Sequence, residues 1–169
     1  QWLGMGCVLF KENKIFRDTV KEVDKYWQQY ADFSIEEELF AGKDNQRLQL
    51  TEVAQPLLFG FQVALTRMLQ SFGLNAGATL GHSVGEVAAA WASGALTLEQ
   101  AVHVIYERSF AQAQTLGLGK MAAVGLSAQQ MQQKLKALKI ADKVVLAGIN
   151  SPNSVTISGD EQLLKDLEQ

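Results

Sequence analysis

Gly81-His82-Ser83-Val84-Gly85-Glu86 is the stretch on which the reading of this 169-residue chain turns. It follows Ala76-Gly77-Ala78-Thr79-Leu80, a short run that reads as a strand. It precedes Val87-Ala88-Ala89-Ala90-Trp91-Ala92, which is strongly helical. A G-x-S-x-G between a strand and a helix has the form of a nucleophile elbow. Backbone and helix crowd together in such a turn, so small residues are needed two places before and two after the serine. Gly81 and Gly85 fill those places. The serine hydroxyl is then lifted out of the turn at the positive end of a helix. The next residue, Val84, can offer its N–H to an oxyanion. The bare pentapeptide also occurs in ordinary Gly/Ser-rich loops, and the strand–turn–helix context is what makes it informative.

Composition narrows the surroundings of this motif. Hydrophobic residues make up 47% and charged residues 20% of the chain, an ordinary globular balance. The net charge of −3 gives no electrostatic case for a nucleic-acid partner. No apolar run reaches the length of a membrane span. Gln1-Trp2-Leu3-Gly4-Met5-Gly6 lacks the basic start and apolar core of a signal peptide. Cys7 is the sole cysteine, so no internal disulfide is possible and a reducing compartment, the cytoplasm, is expected. The two histidines, His82 and His103, lie too far apart in sequence to share a local metal motif, and no metal site is expected.

Residues 1–10 read as the tail of a preceding segment. The spacing of Phe16, Val20, Val23 and Trp27 predicts a helix over 16–30. Ser34 with Glu37 fits a capping box. Gly42-Lys43-Asp44-Asn45 reads as a polar loop. Thr51 opens a further capped helical region, broken by Pro56; Leu58, Phe61, Leu65, Met68, Leu69 and Phe72 continue a helical period that Gly73 ends. Gly94 closes the elbow helix, and Thr97 caps a helix from Leu98 to about Thr115. Beyond Leu116-Gly117-Leu118-Gly119 the pattern changes. A strand is predicted at 121–126, a helix at 128–138 with Ala128, Met131, Leu135 and Leu138 inward, strands at 144–149 and 154–158 around the turn cluster Asn150-Ser151-Pro152-Asn153, and a helix at 161–168. That β-α-β-β-α order is a ferredoxin-like split βαβ unit lacking its last strand.

A serine nucleophile needs a general base. His82 adjoins Ser83 in a tight turn, so its side chain should point elsewhere, and His103 falls on an outer helix face. Neither serves convincingly, which points to a base beyond residue 169. The stripe Leu98, Ala101, Ile105 runs on to Arg108, and a charge on an apolar stripe is costly unless it meets an anion. A guanidinium fork facing the serine would bind an acyl group bearing a free carboxylate. An internal salt bridge to Glu52 or Glu86 is the equal alternative. Gln55 either lines a pocket with its amide or merely caps.

With Ser83, Arg108 and Gln55 in view, the chain resembles the malonyl-CoA:acyl-carrier-protein transacylase family, and most closely the acyltransferase domain of a modular polyketide synthase. The resemblance covers essentially the whole chain. It rests on Gly81-His82-Ser83-Val84-Gly85-Glu86, on the arginine of Tyr106-Glu107-Arg108-Ser109, on Ala54-Gln55-Pro56-Leu57-Leu58-Phe59, on Lys120-Met121-Ala122-Ala123-Val124, on Asn150-Ser151-Pro152 and on Val155-Thr156-Ile157-Ser158-Gly159. It implies an α/β fold: an α/β-hydrolase-like acyltransferase core with a short parallel sheet over residues 1–118, and a ferredoxin-like small subdomain over 119–169, both incomplete in this chain. It implies that Ser83 carries the acyl group, that Val84 supplies one oxyanion N–H, that Arg108 holds the malonyl carboxylate, and that His82, Gln55, Gln1 and Asn150 lie at the substrate. It further implies malonyl-CoA as donor and the phosphopantetheine thiol of an acyl carrier protein as acceptor. No cofactor is bound permanently, and neighbouring synthase domains, a ketosynthase among them, are partners. Val84 after the nucleophile leans towards malonyl over methylmalonyl. The other oxyanion donor would precede residue 1 and the catalytic histidine would follow residue 169, so the 169 residues alone would be inactive. A serine hydrolase of the esterase or lipase type, or a non-catalytic scaffold of acyltransferase shape, are the competing functions.

Overall fold

The computed structural model describes residues 1–41 and 46–167. The polar loop expected at Gly42-Lys43-Asp44-Asn45 and the end of the last expected helix, at Glu168, lie outside the described residues. The chain divides into two compact units, Gln1–Gln114 and Thr115–Gln169.

Among the described residues the regular elements of the first unit are all helices. After α1 (Cys7–Glu12), the Asn13 side chain accepts the Phe16 N–H at 2.9 Å and so starts α2 (Lys14–Trp27). Phe16, Val20, Val23 and Trp27 are all buried, as their spacing requires. Each such side chain contributes about 1.5–3 kcal/mol by leaving water. In front of α3 (Ile35–Phe40), Ser34 Oγ accepts the Glu37 N–H at 3.1 Å. The same hydroxyl donates to the buried Asp24 carboxylate of α2 at 2.8 Å, and that carboxylate also accepts the Ile35 N–H at 2.5 Å. One buried acid thus pins the entrance of α3 to α2.

A 3₁₀ turn at Gln46–Gln49 leads into α4 (Thr51–Ser71). Thr51 begins the helix as expected, but Leu50 before it provides no side-chain cap, and Pro56 lies inside the helix without breaking it. Proline removes one donor, the bond to the Glu52 carbonyl. The helix continues because Val53, Leu57, Phe59, Val63, Ala64 and Met68 are buried along it. Helix α4 packs against α2 on one side and α6 (Leu98–Ala113) on the other. α6 opens with a full capping box between Thr97 and Gln100, and Leu98, Ala101 and Ile105 point into the same core.

Between α4 and α5 (Gly85–Ala92), residues 74–82 form neither helix nor strand. The parallel sheet expected in the first unit is therefore not formed among the described residues, whose single sheet lies in the second unit. The physical reason is that a strand exists only through a neighbour's ladder of hydrogen bonds. Ala76-Gly77-Ala78 has little β-propensity to compensate. The stretch is fixed instead by Thr79, whose hydroxyl donates to the Ala89 carbonyl of α5 at 3.0 Å.

The second unit follows the expected order: β1 (Lys120–Val124), α7 (Ala128–Ala137), β2 (Val144–Ser151), β3 (Ser154–Gly159) and α8 (Glu161–Leu167). The sheet runs β1-β3-β2 with both pairs antiparallel, so β3 lies between the two strands that α7 connects. That is the split βαβ arrangement. Met131, Leu135, Val144, Val155, Ile157 and Leu164 form its core. Leu138, expected inward, follows α7 as its C-cap and is exposed. Lys120 at the start of β1 and Lys165 on α8 both bond Glu161 at 2.9 Å, and the Lys120 bond is the main reason its carboxyl titrates as low as about 2. Across both units the chain is a mixed α/β protein. No helix among the described residues is long and apolar enough to cross a membrane.

Candidate active site

The elbow is a tight turn closed by Gly85 N–H to His82 O and Glu86 N–H to Ser83 O, both 3.0 Å. Ser83 has φ of 54°, a left-handed conformation that non-glycine residues seldom adopt. Such strain is characteristic of a serine held out of a strand-to-helix turn. The glycines of the motif are not equivalent. A Cβ on Gly81 would lie 2.2 Å from the Gly85 carbonyl oxygen, so the turn closes only over a residue without one. A Cβ on Gly85 would meet Gln62 Nε2 at an ordinary 3.6 Å. Ser83 is exposed, and Val84, the N-cap of α5, leaves its N–H without a hydrogen-bond partner among the described residues.

Helix α6 brings Arg108 to this turn. It continues the buried stripe of Leu98, Ala101 and Ile105, but it is half-buried rather than enclosed. Its Nη2 donates to Ser83 Oγ at 3.0 Å. Its Nη1 donates to Gln55 Oε1 and, more weakly at 3.4 Å, to Gln112 Oε1. Gln55 Nε2 in turn donates to Gln112 Oε1 at 2.8 Å. Neither Glu52 nor Glu86 forms an ion pair with Arg108 among the described residues, so the internal salt bridge is not made. The guanidinium keeps its positive charge uncompensated and turned towards a serine oxygen. That arrangement favours an anion at the serine, or a carboxylate brought beside it.

Sequence reasoning missed Gln112. The signal was present: Gln112 stands four places after Arg108 on the same helix, where side chains are neighbours. Gln55, left between cap and pocket residue, faces Arg108 from inside α4 and caps nothing.

The remaining candidates lie elsewhere. His82 is exposed and lines a cavity of about 540 Å³ with Gln62, Thr66, Leu80 and Ala89; neither Ser83 nor Arg108 is part of its lining. His103 stacks on Tyr30 with ring centroids 4.9 Å apart and lies 3.4 Å from Glu107, on the outer face expected of it. Neither histidine bonds Ser83. Gln1 is exposed, with no hydrogen bond to Ser83, Arg108 or Gln55 among the described residues. Asn150 belongs to the second unit, where its amide donates to Thr156 Oγ1 at 2.8 Å. Among the described residues no group of three or more His, Cys, Asp or Glu side chains is placed to hold a metal ion.

Comparison with known proteins gives this geometry a family. The whole of residues 1–169 matches the model of the acyl transferase domain. A highly reducing polyketide synthase of Pyricularia oryzae is 39% identical over 163 residues, 95% of this chain and 6% of that protein. Among solved structures, a loading acyltransferase of the avermectin modular polyketide synthase superposes with a TM-score of 0.91 at 32% identity, covering 99% of this chain and 54% of that one. The malonyl-CoA:ACP transacylase of Synechocystis does so with a TM-score of 0.83 at 29% identity, again over 99% of this chain and 54% of its own. The chain therefore spans about half the length of these acyltransferases and a small part of the synthase. A strained elbow serine, an arginine bonded to it and a match over every residue lead to one conclusion: this chain belongs to the acyl transferase domain family.

Proposed function

We propose that the chain carries the nucleophile and the carboxylate clamp of an acyltransferase that moves malonyl groups from coenzyme A to an acyl carrier protein. One observation carries this reading: the Arg108 guanidinium, with no carboxylate partner among the described residues, donates to Ser83 Oγ at 3.0 Å. A hydrolase of neutral esters has no use for an uncompensated cation at its nucleophile. A non-catalytic scaffold has no use for the strained serine.

In the reaction, a general base takes the Ser83 hydroxyl proton as Oγ attacks the malonyl thioester carbon. The Val84 N–H stabilises the oxyanion. The carbon–sulfur bond breaks, coenzyme A leaves as the thiol with that proton, and malonyl-Ser83 remains. The phosphopantetheine thiol of the carrier protein then attacks the ester and Ser83 regains its proton, which gives ping-pong kinetics. Arg108 holds the malonyl carboxylate throughout, with Gln55 steadying the guanidinium. We read the base as a histidine outside residues 1–169, since His103 is stacked away on Tyr30 and His82 makes no bond to Ser83. Residues 1–169 alone would then be inactive. His82 and Gln1 are given no part in these steps. Carrier protein and neighbouring synthase domains, a ketosynthase included, are the partners in this reading, in a reducing cytoplasm that suits the free Cys7.

The test is made in the native polypeptide that carries this chain. Ser83→Ala abolishes covalent loading from radiolabelled malonyl-CoA. Arg108→Ala lowers the malonyl-to-acetyl ratio of kcat/KM by roughly 30- to 1000-fold, the equivalent of about 2–4 kcal/mol. Label retained on Ser83→Ala, or a ratio that Arg108→Ala leaves unchanged, would overturn the assignment.

A further inference from the structure

We infer that Gln112 is a specificity-determining positioning residue, one half of a neutral amide bracket that fixes Arg108 without discharging it. The inference rests on the proposed function, since it concerns how the same site selects a carboxylate. A guanidinium held by a carboxylate is rigid but neutralised, and an incoming carboxylate then gains little. A guanidinium held by nothing keeps its charge but wanders among rotamers, at the cost of ordering a long side chain at every binding event. Two amide oxygens solve both problems.

The geometry has this form. Gln55 on α4 and Gln112 on α6 each turn a carbonyl oxygen to Nη1 of Arg108, and the Gln55 amide donates to Gln112 Oε1 at 2.8 Å, tying the two together. Gln112 is exposed, so its part in the core is slight, while its partner Arg108 reaches from the same helix to the nucleophile. With Nη1 engaged on the far side, the edge left for a substrate carboxylate is Nη2 with Nε. That edge still offers two parallel N–H donors and includes the one now resting on Ser83.

Glutamate at position 112 separates this role from simple packing. It has the shape of glutamine and accepts the same bonds, and its ion pair to Arg108 four residues away offsets the cost of a carboxylate in the last turn of α6. It differs in cancelling the charge and in giving up the two amide N–H donors, which do not serve Arg108. In the native polypeptide, Gln112→Glu should leave the melting temperature unchanged or raised, yet lower the malonyl-to-acetyl ratio of kcat/KM roughly tenfold or more. Gln112→Met, which keeps the volume and loses the acceptor, should raise KM for malonyl-CoA several-fold more than kcat falls. Arg108→Ala is measured alongside. If Arg108→Ala leaves the ratio unchanged, the transacylase reading itself fails. If Arg108→Ala lowers it while Gln112→Glu does not, the bracket is overturned and the transacylase reading stands. A Gln112→Glu protein that melts earlier and loses malonyl and acetyl transfer in equal proportion would reduce Gln112 to a packing residue and overturn the inference as well.

Discussion

A methyl group at Gly81 would fall 2.2 Å from the Gly85 carbonyl oxygen, while one at Gly85 would rest in ordinary contact with Gln62. The two glycines of the motif should therefore respond differently to substitution. Gly81→Ala is expected to cost roughly 1–3 kcal/mol through overpacking against backbone that cannot rotate away. Gly85→Ala, on the first residue of α5, should be neutral or stabilise by up to about 1 kcal/mol. Urea unfolding of the two variants checks this, and equal costs would contradict the asymmetry. At this scale the sequence reveals identities better than roles. Ser83 and Arg108 were legible because a motif and a broken apolar stripe mark them. Gln112 was not, because an exposed glutamine near the end of a helix looks like any other until the residue one turn earlier is known to need a partner. The salt bridge to Glu52 or Glu86 was a reasonable expectation for an arginine on an inner stripe. It fails because Arg108 is only half-buried and water can share its charge.

Helices were the legible elements, because their stabilising contacts recur every three or four residues within one segment. The buried stripe of α2 and the capping of α3 by Ser34 follow directly from the sequence. Asp24 was not foreseen, since nothing local says that an acid on α2 will accept the Ser34 hydroxyl and the Ile35 amide ten and eleven residues later. Asp24→Ala should cost roughly 2–4 kcal/mol, because two buried donors lose their acceptor. Ser34→Ala should cost about 1 kcal/mol, the loss of a cap. Thermal unfolding distinguishes them, and a milder effect at Asp24 than at Ser34 would show the clamp to be incidental. The stretch at 76–80 was misread for the converse reason. A strand is a relation between segments, and residues that extend the backbone do not by themselves supply the neighbour.

Over the whole molecule, each unit has its own buried cluster: Phe16, Trp27, Phe59 and Ile105 among the residues of one, and Met131, Val155 and Ile157 among those of the other. The change of pattern around Gly117 and Gly119 made the order of elements in the second unit readable, because hairpins and short amphipathic helices are local. The first unit kept its least legible property for the surface. Leu80, immediately before the elbow, is 94% exposed, and Phe72 and Leu74 are 65% and 61% exposed. Large apolar side chains left this exposed within one short segment favour dye binding and association. The isolated 169-residue chain should bind the dye ANS and associate at micromolar concentration, and Leu80→Lys with Leu74→Lys should suppress both. Dye binding that the double substitution leaves unchanged would locate the dye elsewhere.

The bond from Arg108 to Ser83 makes occupancy of the site an exchange rather than an addition. Before any acyl group arrives, the serine oxygen stands where a carboxylate oxygen would, with a lone pair committed to Nη2. An anionic guest wins that donor only by the difference between two hydrogen bonds, so its affinity stays modest and its departure is easy. What it releases in doing so is the nucleophile's own lone pair. On the proposed function, the empty serine is thereby muted, and the malonyl group it would carry is the group that frees it to react.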